Sequence, residues 1–180
     1  MIYILMGDGF EETEAVAPID ILRRAGLSVT MVSLYGDRLT VTGSHGITVE
    51  CAVSVDEISS DSADMLILPG GVGGVREISS CKKALELITD CSKKQCCIAA
   101  ICAAPTVLSK LGLLRGVTAT CYPTMKDELE GCIVSDEKVC VCGRIVTAEA
   151  AGSAVEFGLA LVSVLKGASA ADEVRGAIYA

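Results

Sequence analysis

Ala99-Ala100-Ile101-Cys102-Ala103-Ala104-Pro105 is the stretch that decides the fold, because a buried apolar strand stops there at a cysteine and a helix begins. Unpaired backbone N–H groups at the start of that helix favour a thiolate over a thiol. The chain has ten cysteines, and Cys102 is the one whose position points to chemistry. We therefore predict a reactive thiol at this junction.

Short apolar strands alternate with helical patterns on either side of this junction. The patterns predict strands over 2–6, 27–34, 65–68, 96–101 and 117–121. They predict helices over 11–25, 82–93, 102–114, 124–129, 152–166 and 170–179. Two hairpins are predicted, one pairing 39–41 with 47–49 and the other pairing 139–142 with 144–147. This alternation predicts an α/β fold, a mostly parallel sheet with helices on both faces, in one domain over 1–180.

Charge and run length exclude two classes of partner. The net charge of −8 repels phosphate backbones, so we expect no nucleic-acid partner. The apolar runs 96–104 and 157–162 are far shorter than the roughly 18 residues of a membrane-spanning helix, so we expect no membrane partner. The N-terminus lacks the basic segment and cleavage site of a signal peptide, and we expect a cytoplasmic protein.

The cysteines are interpreted mainly as small, reduced core residues, since several lie inside apolar strand patterns. No C-x-x-C occurs and His45 is the only histidine, so the spacing does not predict a zinc site. Cys140 and Cys142 share one strand face and could hold a soft metal, although a packed strand face is the favoured interpretation. We expect neither a metal nor another cofactor.

Three strand ends stand out at the rim where ligands of such sheets bind. They are the loop 7–14, the turn Pro69-Gly70-Gly71 and Cys102. Each also has an ordinary structural explanation. An acidic residue such as Glu14 is stabilised by the helix dipole at a helix start, the two glycines can form a tight turn, and a cysteine after a strand can be a core packing residue. No Lys-Ser/Thr follows the glycines, so a phosphate-binding loop is not indicated. Because all three lie at strand ends on the same edge of the sheet, a functional site is favoured over three separate structural explanations.

The residues resemble the ThiJ/PfpI superfamily, and within it the branch of the Parkinson-associated protein deglycase and its bacterial relatives. The similar motifs follow one another in the family's order: Glu11-Glu12-Thr13-Glu14-Ala15-Val16, Asp20 with Arg23-Arg24-Ala25-Gly26, Leu66-Ile67-Leu68-Pro69-Gly70-Gly71, Ala99 to Pro105, Thr120-Cys121-Tyr122-Pro123 with Lys126-Asp127, and Gly152-Ser153 with Glu156-Phe157. The resemblance therefore covers nearly the whole chain.

The resemblance implies a flavodoxin-like, class I glutamine amidotransferase-like sandwich, usually a homodimer, with the cysteine on a strained nucleophile elbow. It implies that Cys102 is the nucleophile and that Glu14 faces it as a proton shuttle. Backbone N–H groups of Gly71 and Ala103 would form the oxyanion site. The remaining site-lining residues that it implies are Gly70, Tyr122 and Pro123.

The charges of the implied pair impose a constraint. Two anions side by side are costly, because an ionised carboxylate raises the pKa of a neighbouring thiol. We therefore expect a protonated Glu14 that donates a hydrogen bond to an ionised Cys102, the two titrating as a coupled pair.

The chain departs from the family pattern at several positions. Tyr122 stands where many members have a histidine. A phenol with a pKa of about 10 cannot act as a base at neutral pH, so the site would be a dyad of Cys102 and Glu14 rather than a triad. Ala103 replaces the histidine of the protease-like branch and argues against peptidase activity. Glu149 reverses the charge of the family's usual arginine. His45 lies where relatives often place an arginine that reaches a partner subunit, and we expect it to be exposed.

Two functions follow from these residues. The first is a glyoxalase or deglycase, independent of glutathione and metal, in which Cys102 attacks a small aldehyde or dicarbonyl and Glu14 moves a proton. The alternative is an oxidative-stress sensor or redox-regulated chaperone that uses the same cysteine without turnover. The resemblance implies a homodimer in either case.

Overall fold

The computed structural model describes residues 1–94 and 96–180 and contains eleven strands. The strands are β1 (Ile2–Met6), β2 (Val29–Ser33), β3 (Thr40–Thr42), β4 (Thr48–Glu50), β5 (Val53–Ser54), β6 (Met65–Leu68), β7 (Cys97–Ile101), β8 (Thr118–Ala119), β9 (Ile133–Val134), β10 (Val139–Cys142) and β11 (Ile145–Ala148). The helices are α1 (Glu12–Arg24), α2 (Val72–Ser80), α3 (Lys82–Lys93), α4 (Pro105–Lys110), α5 (Ala154–Lys166) and α6 (Ala168–Ile178). Short 3-10 turns occupy 55–57, 60–62, 123–128 and 151–153.

Seven strands form the central sheet in the order β10-β11-β7-β6-β1-β2-β5. All neighbours are parallel except β10, which pairs antiparallel with β11. The chain leaves β1 toward β2 on one side and later returns to β6 on the other, so the strand order reverses between β1 and β6. Ligands of doubly wound sheets bind at the carboxyl ends of the strands beside such a switch point.

The sheet carries an apolar core on each face, because successive side chains of a strand point to opposite sides. On β1, Ile2, Ile4 and Met6 face a core that α1, α5 and α6 cover. Tyr3 and Leu5 face the other core, which is covered by α2, α3 and α4. The predicted flavodoxin-like class, with a mostly parallel sheet and helices on both faces, is confirmed.

Helix α2 was not expected from the sequence, because it starts with glycines that disfavour a helix on their own. A Cβ atom on Gly73 would lie 2.9 Å from the Asp8 carbonyl oxygen, and one on Gly74 would lie 2.9 Å from Phe10 Cα. The helix therefore passes against the loop after β1 at a distance that only glycine permits. A contact distant in sequence thus outweighs the local preference.

Other boundaries differ from prediction at the ends of elements. The helix predicted over 102–114 is α4, which ends at Lys110. The strand predicted over 117–121 shrinks to β8, which pairs with β9 in a separate small sheet. Both predicted hairpins form: β3 pairs with β4 alone, whereas β10 and β11 extend the central sheet. Within the described ranges, none of the helices has the length and apolar character needed to cross a membrane.

Candidate active site

The three predicted strand ends converge at one point beside the switch between β1 and β6. Gly70 lies between Glu14 and Cys102: a Cβ atom built on it would be 2.1 Å from Glu14 Oε2 and 2.5 Å from Cys102 Cβ. No side chain larger than hydrogen fits there without moving one of the two. The fold therefore brings the predicted carboxyl group and thiol together across a glycine.

Cys102 has a left-handed backbone conformation, with φ of 64°. This region costs a non-glycine residue on the order of 1 kcal/mol or more. Two backbone hydrogen bonds hold the residue there: its N–H donates to the Ala148 oxygen at 3.0 Å, and its carbonyl accepts from the Tyr122 N–H at 2.8 Å. The predicted strained elbow is present, and β11 and the segment after β8 support it from either side.

Glu14 is 1% exposed and lies in the first turn of α1. Its N–H donates to Oε2 of Glu11 at 2.6 Å, which caps the start of the helix. Burial raises the pKa of the Glu14 carboxyl to about 7, with a contribution from the Glu11 charge, and the Cys102 thiol and the backbone of Gly70 and Ala151 oppose the rise. A sizeable fraction of Glu14 is thus protonated at neutral pH.

The Oε2 atom of Glu14 is buried and accepts no well-directed hydrogen bond from the described residues. An unpaired buried carboxylate oxygen is costly, whereas a protonated oxygen can donate to sulfur or to a bound molecule. The Oε2 atom therefore marks a place where a proton or a ligand belongs.

The Cys102 thiol departs from the sequence prediction. Burial, followed by the charge of Glu14, raises its pKa to about 12, although backbone N–H groups of Gly71 and Ala103 lower it. The prediction that the helix start alone would favour a thiolate is wrong, because desolvation outweighs those N–H groups. The pKa of Glu14, about 7, lies below that of the thiol, so the carboxyl ionises first. The expected pair of a protonated Glu14 and an ionised Cys102 is therefore wrong, because burial favours the neutral thiol.

Backbone N–H groups of Gly71 and Ala103 interact with the Cys102 sulfur and lower its pKa. Gly71 has φ of 85°, and a Cβ atom on it would lie 2.3 Å from the Gly9 oxygen. Only glycine fits this contact with the loop after β1. Two convergent backbone donors beside a thiol form a geometry that can stabilise negative charge on oxygen.

Tyr122 and Pro123 lie at the rim, where both side chains are exposed. The backbone N–H of Tyr122 donates a hydrogen bond to the carbonyl oxygen of Cys102. The reversed charge of Glu149 has a partner that the sequence did not reveal: Lys126 Nζ lies 3.4 Å from its carboxylate. The same ammonium group donates to Asp136 at 2.9 Å, so the two carboxylates share one cation.

Glu12 is a residue whose role the sequence analysis missed. It is buried and accepts hydrogen bonds from the His45 N–H at 2.7 Å, from the His45 ring at 2.8 Å and from Ser44 Oγ at 3.2 Å. Burial alone would raise the pKa of Glu12, but the His45 contacts dominate and lower it to about 2. The same pairing raises the pKa of His45.

This contact fastens the hairpin β3–β4 to the helix turn that carries Glu14. The ring of His45 is exposed, as predicted, but it is bonded to a buried partner 33 positions away, which no local pattern signals. Among the described residues, Glu11, Glu12 and His45 form the group of side chains whose spacing could suit a metal ion, because their ligand atoms lie within 4.8 Å of one another. Both Glu12 oxygens are already engaged by the hairpin.

Sequence comparison identifies the family. The model described as "DJ-1/PfpI family" matches residues 1–164. This chain belongs to the DJ-1/PfpI family. The ThiJ/PfpI resemblance is therefore confirmed.

Three proteins illustrate the similarity, and the chain matches each of them over nearly its full length. Protein dj-1beta of Drosophila melanogaster is 35% identical over 173 residues, which cover 95% of this chain and 92% of the relative. A protein named deglycase from Pyrococcus abyssi is 32% identical over 167 residues, covering 92% of this chain and 99% of the relative. The solved structure of oxidised DJ-1 from Toxoplasma gondii has a TM-score of 0.94 and 31% identity, covering 99% of this chain and 97% of that one.

Proposed function

We propose that this chain is a cysteine-dependent enzyme of the glyoxalase or deglycase type that acts on small dicarbonyls or on their protein adducts. The observation that carries the proposal is the buried, unpaired Oε2 of Glu14 beside the Cys102 thiol. A carboxyl group with a pKa of about 7 can both give and take a proton at neutral pH. The deglycase name of the Pyrococcus relative supports the same class of reaction.

The first step forms a covalent adduct. Sulfur of Cys102 attacks the aldehyde carbon of methylglyoxal, and its proton passes by way of Glu14 to the carbonyl oxygen, giving a hemithioacetal. Backbone N–H groups of Gly71 and Ala103 stabilise the negative charge that develops on that oxygen. Because Gly70 has no side chain, the substrate can lie against both the thiol and the carboxyl group.

The second step moves hydrogen between the two carbons. The Glu14 carboxylate takes the proton from the former aldehyde carbon and returns it to the neighbouring ketone carbon, which converts the hemithioacetal into a thioester of lactic acid. Water then cleaves the thioester, releasing lactate and restoring the thiol. The balance is methylglyoxal plus water to lactate, so the proposed cycle needs neither glutathione nor a metal ion.

The test is lactate formation from methylglyoxal in buffer with EDTA and without glutathione. We expect Cys102→Ala to abolish turnover and Cys142→Ala, a half-buried thiol on the edge strand β10, to retain it. In D2O, the wild type is expected to incorporate less than one full deuterium at the lactate methine if Glu14 returns part of the same proton. Full turnover by Cys102→Ala refutes the proposal.

A second candidate function is a peroxide sensor at the same cysteine, with or without chaperone activity. The donors that would stabilise an oxyanion would equally bind the oxygens of a sulfinate, to which a protonated Glu14 can donate. The Toxoplasma gondii DJ-1 structure, a relative with this fold, is of an oxidised protein. Mass mapping after two equivalents of hydrogen peroxide tests the sensor function: we expect two oxygens on Cys102, and oxidation spread evenly over the cysteines counts against it.

We also infer a cytoplasmic homodimer. Val16 on α1 and Ile47 in the turn joining β3 to β4 are exposed apolar side chains, and the Glu12–His45 contact holds these two elements together. A second copy of the chain would remove both from water. Sedimentation equilibrium tests the assembly: Val16→Glu is expected to shift a dimer toward monomer, and a monomeric wild type refutes it.

A further inference from the structure

Asp8 lies in the loop that follows the carboxyl end of β1, and the functions proposed above do not use it. Arg38 donates to both oxygens of its carboxylate, to Oδ1 at 3.2 Å and to Oδ2 at 2.6 Å. The Arg38 guanidinium also stacks 3.8 Å from the centre of the Tyr35 ring, and the Tyr35 hydroxyl accepts the Asp8 N–H at 2.9 Å. The hydrogen bond from Arg38 lowers the pKa of Asp8 although burial opposes the shift. This bidentate, stacked ion pair fixes the carboxylate in one orientation.

The same carboxylate joins the loop after β1 to the hairpin β3–β4. Asp8 Oδ1 accepts the Thr42 N–H at 3.0 Å, and the Gly9 N–H donates to the Thr42 carbonyl oxygen at 2.8 Å. One position further along the loop, the Phe10 carbonyl oxygen accepts the Ser44 N–H at 2.8 Å. The loop is therefore attached to the hairpin by backbone bonds that the Asp8 side chain extends by one.

The other side of this loop lies in backbone contact with the turn Gly70-Gly71. A Cβ atom on Gly71 would lie 2.3 Å from the Gly9 oxygen, and the Glu11 N–H donates to the Gly70 oxygen at 3.0 Å. The Gly71 N–H in turn interacts with the Cys102 sulfur. Since protein interiors are close-packed, a displacement of the loop displaces the backbone donor beside the thiol.

We propose that Asp8 is a positioning residue of the active site, which fixes the loop after β1 to the hairpin and thereby holds the Gly71 N–H beside Cys102. The catalytic consequence rests on the function proposed above, in which this N–H stabilises the negative charge that develops on the substrate oxygen. Asp8 acts through the backbone of Gly9 and Gly71 and not on the substrate. Donors of this kind stabilise a transition state only when the fold has already placed them, and a misplacement of about 1 Å can cost about 100-fold in rate.

Kinetics of three variants test the role. Asp8→Ala is expected to lower kcat for methylglyoxal by about 10- to 100-fold and to leave KM within about twofold, because an oxyanion donor acts on the transition state more than on the bound substrate. Asp8→Asn keeps an acceptor for the Thr42 N–H but loses the charge opposite Arg38, so we expect an intermediate loss. Asp37→Ala is the matched control and is expected to keep the wild-type kcat, since the exposed Asp37 carboxylate has no hydrogen bond or ion pair within the described part of the chain.

Unfolding measurements separate positioning from a merely structural role. The side chains of Asp8 and Arg38 are 42% and 46% exposed, and half-exposed ion pairs contribute little to global stability. We therefore expect the urea midpoint of Asp8→Ala to stay close to that of the wild type while kcat falls. A lowered midpoint with an unchanged kcat of the folded protein would show a structural role instead and overturn the proposal.

Amide hydrogen exchange tests the loop without any turnover. The Glu11 N–H, which is bonded to Gly70, is expected to exchange about tenfold faster in Asp8→Ala than in the wild type. The Leu34 N–H, which donates to the end of β1 at 3.1 Å, is expected to exchange equally in both. If the wild type forms no lactate, the proposed function fails and the exchange of Glu11 alone decides the role of Asp8. Equal Glu11 exchange in the two proteins, or an equal loss of kcat in Asp37→Ala, overturns the proposal.

Discussion

Replacing Glu14 with glutamine is expected to make the protein more stable than the wild type at pH 8 and to leave the two nearly equal at pH 5. Glu14 is 1% exposed, and its Oε2 has no well-directed partner among the described residues. At low pH the folded chain buries Glu14 as a neutral acid. At high pH it must bury a poorly solvated carboxylate, which lowers the free energy of unfolding. A glutamine side chain has nearly the same shape and never ionises.

The magnitude follows from the pKa of Glu14, which rises from 4.5 to about 7 on folding. Between these values the folded chain keeps a proton that the unfolded chain has released, so the free energy of unfolding falls as pH rises. Each pKa unit corresponds to about 1.4 kcal/mol, which gives a loss of about 3 kcal/mol by pH 8. Glu12, with a pKa of about 2, titrates below this window, and His45 titrates in both proteins, so the difference isolates Glu14.

The assay is urea unfolding of both proteins at half-unit steps from pH 5 to pH 8. The stability of Glu14→Gln minus that of the wild type is expected to grow by about 2.5 kcal/mol between pH 5 and pH 8. A difference that stays constant with pH would show that Glu14 is ionised throughout, and the proton-shuttle mechanism would lose its basis. Repeating the pair in a Cys102→Ser background separates the carboxyl group from the coupled thiol.

Three further results are expected. Gly70→Ala should lower turnover of methylglyoxal by about 100-fold or more, because its Cβ would lie 2.1 Å from Glu14 Oε2 and displace the reacting groups. Glu14→Gln should move the pH profile of iodoacetamide alkylation at Cys102 to lower pH, since the neighbouring charge that raises the thiol pKa is removed. His45→Ala should shift acid unfolding to higher pH, because Glu12 loses the partner that keeps its pKa at about 2 and therefore takes up a proton earlier.

The controls use positions of similar type without those contacts. Gly176→Ala, on α6 with nothing within 4 Å of the added Cβ, should leave turnover unchanged. Equal losses for the two glycine variants would argue against a specific clash at Gly70. An unshifted alkylation profile in Glu14→Gln would contradict the coupling, and an unchanged acid midpoint in His45→Ala would mean that Ser44 and the backbone donors suffice to hold Glu12 ionised.

Much of the fold could be predicted because its signals are local. Buried parallel strands are continuous apolar runs, and the stretch ending at Cys102 shows where one of them stops. The hairpins carry their own turn glycines, and β3 pairs with β4 as expected. Helix α2 could not be predicted, since Gly73 and Gly74 disfavour a helix locally and are required only where it packs against the loop after β1.

The candidate site divides in the same way. Cys102, Glu14 and Gly70 could be singled out because each follows or begins an element at the rim that a parallel sheet reserves for ligands. Their ionisation could not be predicted, since it depends on how completely the fold removes them from water. The sequence favoured a thiolate at a helix start, whereas burial and the nearby carboxyl raise the pKa of Cys102 to about 12.

By itself, the sequence determined most of the strands and helices, the family, and which cysteine follows the buried strand β7. Only the tertiary structure decided which ionisable groups face each other: Glu14 with Cys102, and His45 with Glu12. The physical reason is that helix and strand patterns arise from neighbours along the chain. Desolvation and charge pairing arise from neighbours in space, and both of these pairs join residues dozens of positions apart.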